Sequence, residues 1–305
     1  MILKLGSSGA TVVALQKVLG LNADGAFGPK TEIAVKEWQA KNGLVADGIA
    51  GPSTLAKMQI ATTDQSESTP TPSTKEFTKS QYTTSNGLVV NQYFLPANEY
   101  LKGPVKPEWL FLHHTAGWHD PYNTVKTWAG DTRGPIATEF VLGGPSVKGD
   151  NNQFDGELVQ CFPHLSYGWH LGDNGSLAMH VNSVGIEVCN FGYVKNGLTY
   201  AGTKVDPSQV VTLAQPFRGF KEWHRYSNKQ IEVLKKWILW IAERDSIDVR
   251  AGLPALIRQK GAAAFEFNED AYYGRIKGLW THTNTRKDKV DMFPQQELMD
   301  MLTSL

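Results

Sequence analysis

The sequence predicts two folded parts of different class: an α/β domain with a central mixed sheet flanked by helices, preceded by a small all-α domain of three helices. Three observations carry this. Residues 1–61 hold a repeated loop-to-helix signature, residues 62–86 are rich in Ser, Thr, Pro, Gln and Lys, and residues 87–305 mix short apolar runs with helical periods. At 305 residues the chain is long enough for a small module and one further domain of ordinary size.

Composition excludes several classes of function. The 30 basic and 30 acidic residues cancel, which leaves no electrostatic footprint for nucleic acid. The longest apolar run, Trp237 to Ala242, is far short of the roughly 20 residues that span a bilayer, so no membrane insertion is expected. Met1-Ile2-Leu3-Lys4-Leu5-Gly6 lacks the charged start, apolar centre and small-residue end of a secretory signal peptide, so a substrate outside the cytoplasm implies another route of export. The two cysteines, Cys161 and Cys189, each lie in an apolar strand-like run and read as buried thiols. A monomer is expected.

In the first part, Asp24-Gly25-Ala26-Phe27-Gly28-Pro29-Lys30-Thr31 recurs as Asp47-Gly48-Ile49-Ala50-Gly51-Pro52-Ser53-Thr54, the pattern DGxxGPxT. Asp-Gly makes a turn, Gly-Pro closes the loop, and Thr31 or Thr54 can cap the helix that follows. Between the copies, Ile33, Ala34, Glu37, Trp38 and Lys41 form a helical period whose apolar members would pack on an earlier helix carrying Val12, Leu15, Gln16 and Leu19. From residue 62 to 86, centred on Thr69-Pro70-Thr71-Pro72-Ser73, the chain holds too little apolar surface to fold, and its prolines favour an extended spacer. It is expected to be a linker.

In the second part, strands are expected at Trp109 to His114, Ile136 to Leu142, Leu158 to Phe162 and Val184 to Cys189. Helices are expected near Asn123 to Ala129 and from Asn228, as N-cap, to Arg244, with Ile231, Leu234, Ile238 and Ile241 on the apolar face. Residues 191–227 and 246–279 show no clean period and read as surface insertions that could wall a cleft.

Chemistry concentrates on Trp109-Leu110-Phe111-Leu112-His113-His114-Thr115-Ala116-Gly117, a buried strand ending on two imidazoles. Side chains alternate across a strand, so His113 and His114 point to opposite faces and only one reaches a given metal. Candidate partners follow much later, in Trp280-Thr281-His282 and Lys289-Val290-Asp291. Glu187, between Ile186 and Val188, is a carboxylate on an apolar strand and needs a partner or a function.

The ordered segments His113-His114-Thr115-Ala116-Gly117, Val184-Gly185-Ile186-Glu187 and His282 with Lys289-x-Asp291 resemble the zinc-dependent N-acetylmuramoyl-L-alanine amidases, the family of the peptidoglycan recognition proteins and phage T7 lysozyme. Asp155 to Gln160 is similar to the family's hairpin, and Gly168-Trp169-His170-Leu171-Gly172 to its substrate-side loop. Residues 1–61, with Val35 to Gly43, resemble the three-helix peptidoglycan-binding domain of cell-wall enzymes.

The resemblance implies Zn2+ on His113, His282 and Asp291, with Asp288 the alternative carboxylate, and a fourth position left for water. It implies Glu187 as base, with Glu139 as runner-up, and Lys289 as the stabiliser of negative charge on the carbonyl oxygen. His114, Glu139, Trp169 and His170 are expected on the substrate side. Together these imply a peptidoglycan hydrolase, similar to a phage lysin or bacterial autolysin, that acts on the bacterial cell wall. The competing expectations are a recognition protein that binds without cutting, and a zinc peptidase that cuts the stem peptide.

Overall fold

A computed structural model describes residues 3–4, 7, 10–23, 25–44, 46, 48–60, 77–131, 134–172 and 176–305. It divides into two compact units, Met1–Glu76 with Asp131–Pro135, and Phe77–Gly130 with Ile136–Leu305.

The first unit holds helices α1 (Ala10–Val18), α2 (Pro29–Lys41) and α3 (Pro52–Lys57) around Val12, Leu15, Phe27, Val35 and Leu55. The doubled motif is one device built twice. Gln16 on α1 receives Gly25 N–H at 2.8 Å and donates to Ala26 O at 2.8 Å and Thr31 Oγ1 at 3.2 Å. Gln39 on α2 does the same with Gly48 N–H at 2.9 Å, Ile49 O at 2.9 Å and Thr54 Oγ1 at 3.2 Å. Each glutamine replaces the water its loop backbone would otherwise need. This corrects two expectations. Thr31 is not a cap, since Gly28 is the N-cap of α2 and Thr31 is buried as an acceptor for Gln16. The buried face of α2 is Thr31, Val35 and Gln39, whereas Ile33 is exposed.

The second unit is built on a seven-stranded mixed sheet. In chain order its strands and helices are β1 (Thr78–Thr83), β2 (Val89–Phe94), β3 (Leu101–Lys102), β4 (Trp109–His114), α4 (Pro121–Ala129), β5 (Phe140–Leu142), β6 (Leu158–Gln160), β7 (Ser166–Tyr167), α5 (Leu177–Val181) and β8 (Ser183–Val188). There follow β9 (Tyr193–Lys195), β10 (Leu198–Thr199), β11 (Val210–Phe217), β12 (Phe220–His224), α6 (Asn228–Asp245), α7 (Leu253–Lys260), α8 (Glu269–Tyr272), β13 (Gly278–Thr281), α9 (His282–Thr285) and α10 (Gln296–Thr303).

The sheet order is β1-β2-β6-β5-β8-β4-β13, and the β5-β8-β4-β13 segment is parallel throughout. Parallel strands are covered on both faces, which is why β4 is buried at every position. One side packs on α6, whose Trp237 meets Phe140 edge-on at 5.4 Å. Against the expectation of Asn228 as cap, α6 starts at Ser227, whose hydroxyl accepts Gln230 N–H in a capping box. Cys161 and Cys189 are buried free thiols. Among the described residues, no helix is long and apolar enough to cross a membrane.

Two further expectations are corrected. The linker ends earlier than residue 86: β1 pairs antiparallel with β2, from Thr78↔Phe94 to Thr83↔Val89, while residues 61–76 lie outside the described residues. An edge strand shows polar side chains on much of its surface, so its composition matches that of a spacer. Residues 191–227 are not an irregular insertion but carry a second sheet, β10-β9-β12-β11, with Trp223 fully buried beneath it.

Candidate metal centre

The register of β4 against β8 puts His113 beside Glu187, and that of β13 against β4 brings Thr281 beside Leu112, so the chain leaves β13 into His282 at the same rim. In-register residues of parallel strands share a face, so His113 and Glu187 project together while His114 projects away.

Three donors converge there. His113 Nδ1 lies 3.3 Å and His282 Nδ1 3.0 Å from the same atom, Asp291 Oδ2, and all three side chains are buried. The far nitrogens face elsewhere. His282 Nε2 donates to Leu171 O at 3.3 Å, and His113 Nε2 lies 3.0 Å from His170 Nδ1, whose own Nε2 is 2.8 Å from Ser183 Oγ. A carbonyl can only accept, so Nε2 of His282 carries a proton, while its Nδ1 faces a carboxylate oxygen. His113 Nδ1 is buried, and the contact it makes is the one with Asp291. Two imidazole nitrogens gathered on one carboxylate oxygen make a place for a cation, and this donor set fits a metal that takes nitrogen and oxygen ligands, with outer partners already orienting the rings.

Electrostatics agree. Burial pushes His113 down to about 4 against the opposing bond to Asp291, so the ring is neutral and its lone pair available. For Asp291, burial raises the carboxyl, but His282 and His113 overcome it and hold the carboxylate well below its ordinary range.

Beside this cluster, part of Glu187 reaches the surface while its Oε2 is sealed and has no hydrogen-bond partner. Burial pushes its carboxyl well up, Asp291 adds to the rise, and Lys289 opposes it. Lys289 also acts on His113, lowering its pKa. Gly185 makes the arrangement sterically possible: a Cβ there would lie 3.0 Å from His170 Nδ1 and 2.8 Å from Thr138 Cγ2.

A family model for N-acetylmuramoyl-L-alanine amidases matches residues 103–263, more than half of the chain. The chain belongs to this amidase family. The match includes His113 and Glu187 and stops before His282 and Asp291, which the geometry supplies. A second model, for a peptidoglycan-binding domain, matches residues 8–58.

Among individual proteins, the zinc D-Ala-D-Ala carboxypeptidase of Streptomyces albus G is 49% identical over 61 residues, 17% of this chain and 24% of that protein. The chain thus spans about a quarter of that relative's length. A Burkholderia AP3 phage endolysin structure is 41% identical over 21% of this chain and 27% of its own, with a TM-score of 0.19. The E. coli amidase AmiD, solved with anhydro-N-acetylmuramic acid-L-Ala-D-gamma-Glu-L-Lys, is 19% identical over 48% of this chain and 46% of its own, with a TM-score of 0.30.

The amidase-family domain departs from the expected site at several residues. His114 is buried on the far face, its Nδ1 2.8 Å from Tyr226 OH, so it is a core residue and not part of the substrate side. Glu139 is excluded as base because Arg244 grips both of its oxygens, at 2.9 and 3.2 Å, and Gln160 donates to one at 3.0 Å. Trp169 is buried and packs edge-on against His180 and Tyr167, which removes it from a substrate wall. His170 spends both nitrogens inside the protein, and Asp288 pairs with Arg286 at 2.8 and 2.9 Å, away from the cluster. Sequence reasoning missed Ser183 and the Leu171 carbonyl. The signal for the latter was its place right after Trp169-His170.

Proposed function

We propose that the chain is a zinc-dependent hydrolase that cleaves the amide between the lactyl group of N-acetylmuramic acid and L-alanine in peptidoglycan. The observation that carries this is the convergence of His113 Nδ1, His282 Nδ1 and Asp291 Oδ2 beside a carboxylate with an unpartnered oxygen, in a chain of this family. His113, His282 and Asp291 would hold the ion. Zinc bound there lowers the pKa of a bound water toward about 7 and polarises the amide carbonyl.

Glu187 takes a proton at Oε2 and passes it to the leaving amine. Burial raises its pKa above the ordinary carboxylate range, which strengthens its hold on a proton. Lys289 offers positive charge to the carbonyl oxygen as it becomes anionic. His170 and Leu171 O hold the far nitrogens of the two imidazoles and so orient the rings. The N-terminal unit keeps the hydrolase near an insoluble polymer by raising its local concentration.

The test is cell-wall digestion by the pure protein before and after stripping with a strong chelator and reloading with zinc. Lysis that vanishes and returns supports the proposal, and indifference to chelation overturns the metal. Mass spectrometry of the digest must show new L-alanine amino termini on intact glycan. Cuts inside the stem peptide would favour the peptidase, and binding without release the recognition protein.

A further inference from the structure

The second sheet sends one side chain into the backbone of the metal-site loop. Strands β11 and β12 are joined at Phe217↔Phe220 by Arg218 and Gly219, with φ of 50° and 85°. Two successive residues with positive φ give the tight hairpin turn whose twist matches its strands, so Arg218 stands at a rigid tip. Its side chain is mostly buried, with both terminal nitrogens hydrogen-bonded and Nε in ion-pair contact only. Nη2 donates to Thr283 O at 3.1 Å, Nη1 donates to Lys287 O, and Nε lies 3.1 Å from Glu266 Oε2 as an ion pair.

Thr283 and Lys287 belong to the segment from His282 to Asp291. That segment is closed at its base by Thr283 N–H donating to Asp291 O at 3.0 Å, and it carries Lys289 between Lys287 and Asp291. Two of three metal donors and the charge-stabilising lysine therefore ride on one loop, and a planar guanidinium pins that loop at two carbonyls in fixed directions. A cation near a cation site would repel the metal, but Glu266 offsets its charge.

We propose that Arg218 is a positioning residue for the metal centre: by holding the carbonyls of Thr283 and Lys287 it sets the spacing of His282 and Asp291 against His113. The inference rests on the zinc reading above. Without Arg218 the loop keeps its sequence and its base hydrogen bond but samples wider spacings, so it binds metal less tightly and presents Lys289 less accurately.

The experiment uses the full chain as wild type, Arg218→Ala and Arg218→Lys. Zinc affinity is measured by competition with a chromophoric chelator, the visible spectrum after cobalt loading reports ligand geometry, and melting temperatures are taken with and without zinc. Partners that orient metal ligands are worth about 10- to 100-fold in affinity. Arg218→Ala should weaken zinc on the order of 10-fold, shift the cobalt bands and shrink the rise in melting temperature that zinc confers. Arg218→Lys retains the charge but not the fork, and should fall between the two.

A lower melting temperature with unchanged zinc affinity and cobalt spectrum would reduce Arg218 to a hairpin staple and overturn the proposal. Should Arg218→Ala fail to fold, Arg218→Lys decides: wild-type affinity overturns, intermediate affinity supports. A wild-type chain that binds zinc but cleaves nothing defeats the hydrolase reading and leaves this comparison intact. One that binds no zinc overturns both.

Discussion

Glu187 lies in β8 and Glu139 just before the neighbouring parallel strand β5, and both are candidates for a base in the sequence alone. Glu139 is held by Arg244 on both oxygens, in a network where Arg244 also grips Asp245 and His164 Nε2 lies 3.3 Å from Asp245. Glu187 has a sealed oxygen with nothing to bond. The difference is one of vacancy: a carboxylate whose lone pairs are all engaged stabilises a fold, whereas one with a spare lone pair at an open rim can take up a proton. Sealed polar groups are costly to leave unpaired, so an unpaired one beside a cation site points to work done there.

The contrast can be broken in several ways. His113→Ala should remove bound zinc and with it all measurable hydrolysis, while His114→Gln, on the other face of the same strand, keeps both; metal content beside turnover checks this. Next in size, Glu187→Gln should retain zinc and lose about 10² to 10⁴ in kcat, the range of general acid-base groups. Normal turnover in that variant would remove Glu187 from the mechanism. Glu139→Gln should do the reverse, costing about 3 kcal/mol in urea unfolding by breaking a buried pair, at unchanged kcat per folded molecule.

The smallest effect concerns another buried atom without a hydrogen-bond partner, His224 Nε2, in a residue that is buried throughout. Burial, with His114 and His119 adding to it, lowers the His224 pKa to about 3. The unfolded chain takes up a proton near pH 6.5 that the fold refuses, so stability is complete above that pH and is lost as pH falls toward about 3. The slope is about 1.4 kcal/mol per pH unit for this one group. His224→Gln should flatten that slope in acid denaturation curves without altering the pH profile of hydrolysis. A changed activity profile would mean that His224 communicates with the metal centre.

The parts of this molecule that were legible before the fold was known share one property: their meaning is local or ordered along the chain. Strand alternation says that one of His113 and His114 faces a site and sets Glu187 apart from its apolar neighbours, while the choice of His113, His282 and Asp291 comes from the resemblance of the ordered segments to the amidases. What was hidden depends on partners distant in sequence. The pairing of Glu139 with Arg244, the burial of Trp169 against His180, and the use of His170 to hold His113 are set by the sheet order, which no periodicity reveals. The second sheet escaped notice because β9 and β10 span only three and two residues, too short for alternation to register. Thr31 was misjudged for the opposite reason, since its local motif fits a cap and only Gln16 shows otherwise.

Both histidines offer Nδ1, the nitrogen nearer the main chain, so the ion would sit close to the ends of β4 and β13, strands held at a separation of about 4.8 Å by their hydrogen bonds. His113 lies on β4, whereas His282 and Asp291 follow β13, far along the chain. A chain that has been made only as far as α8 has no complete cluster, and the full cluster forms only when β13 docks on the outer edge of β4. Donors for a cation are thus gathered only once β13 is paired in the sheet, so the cluster reports on the sheet's assembly rather than on any one strand.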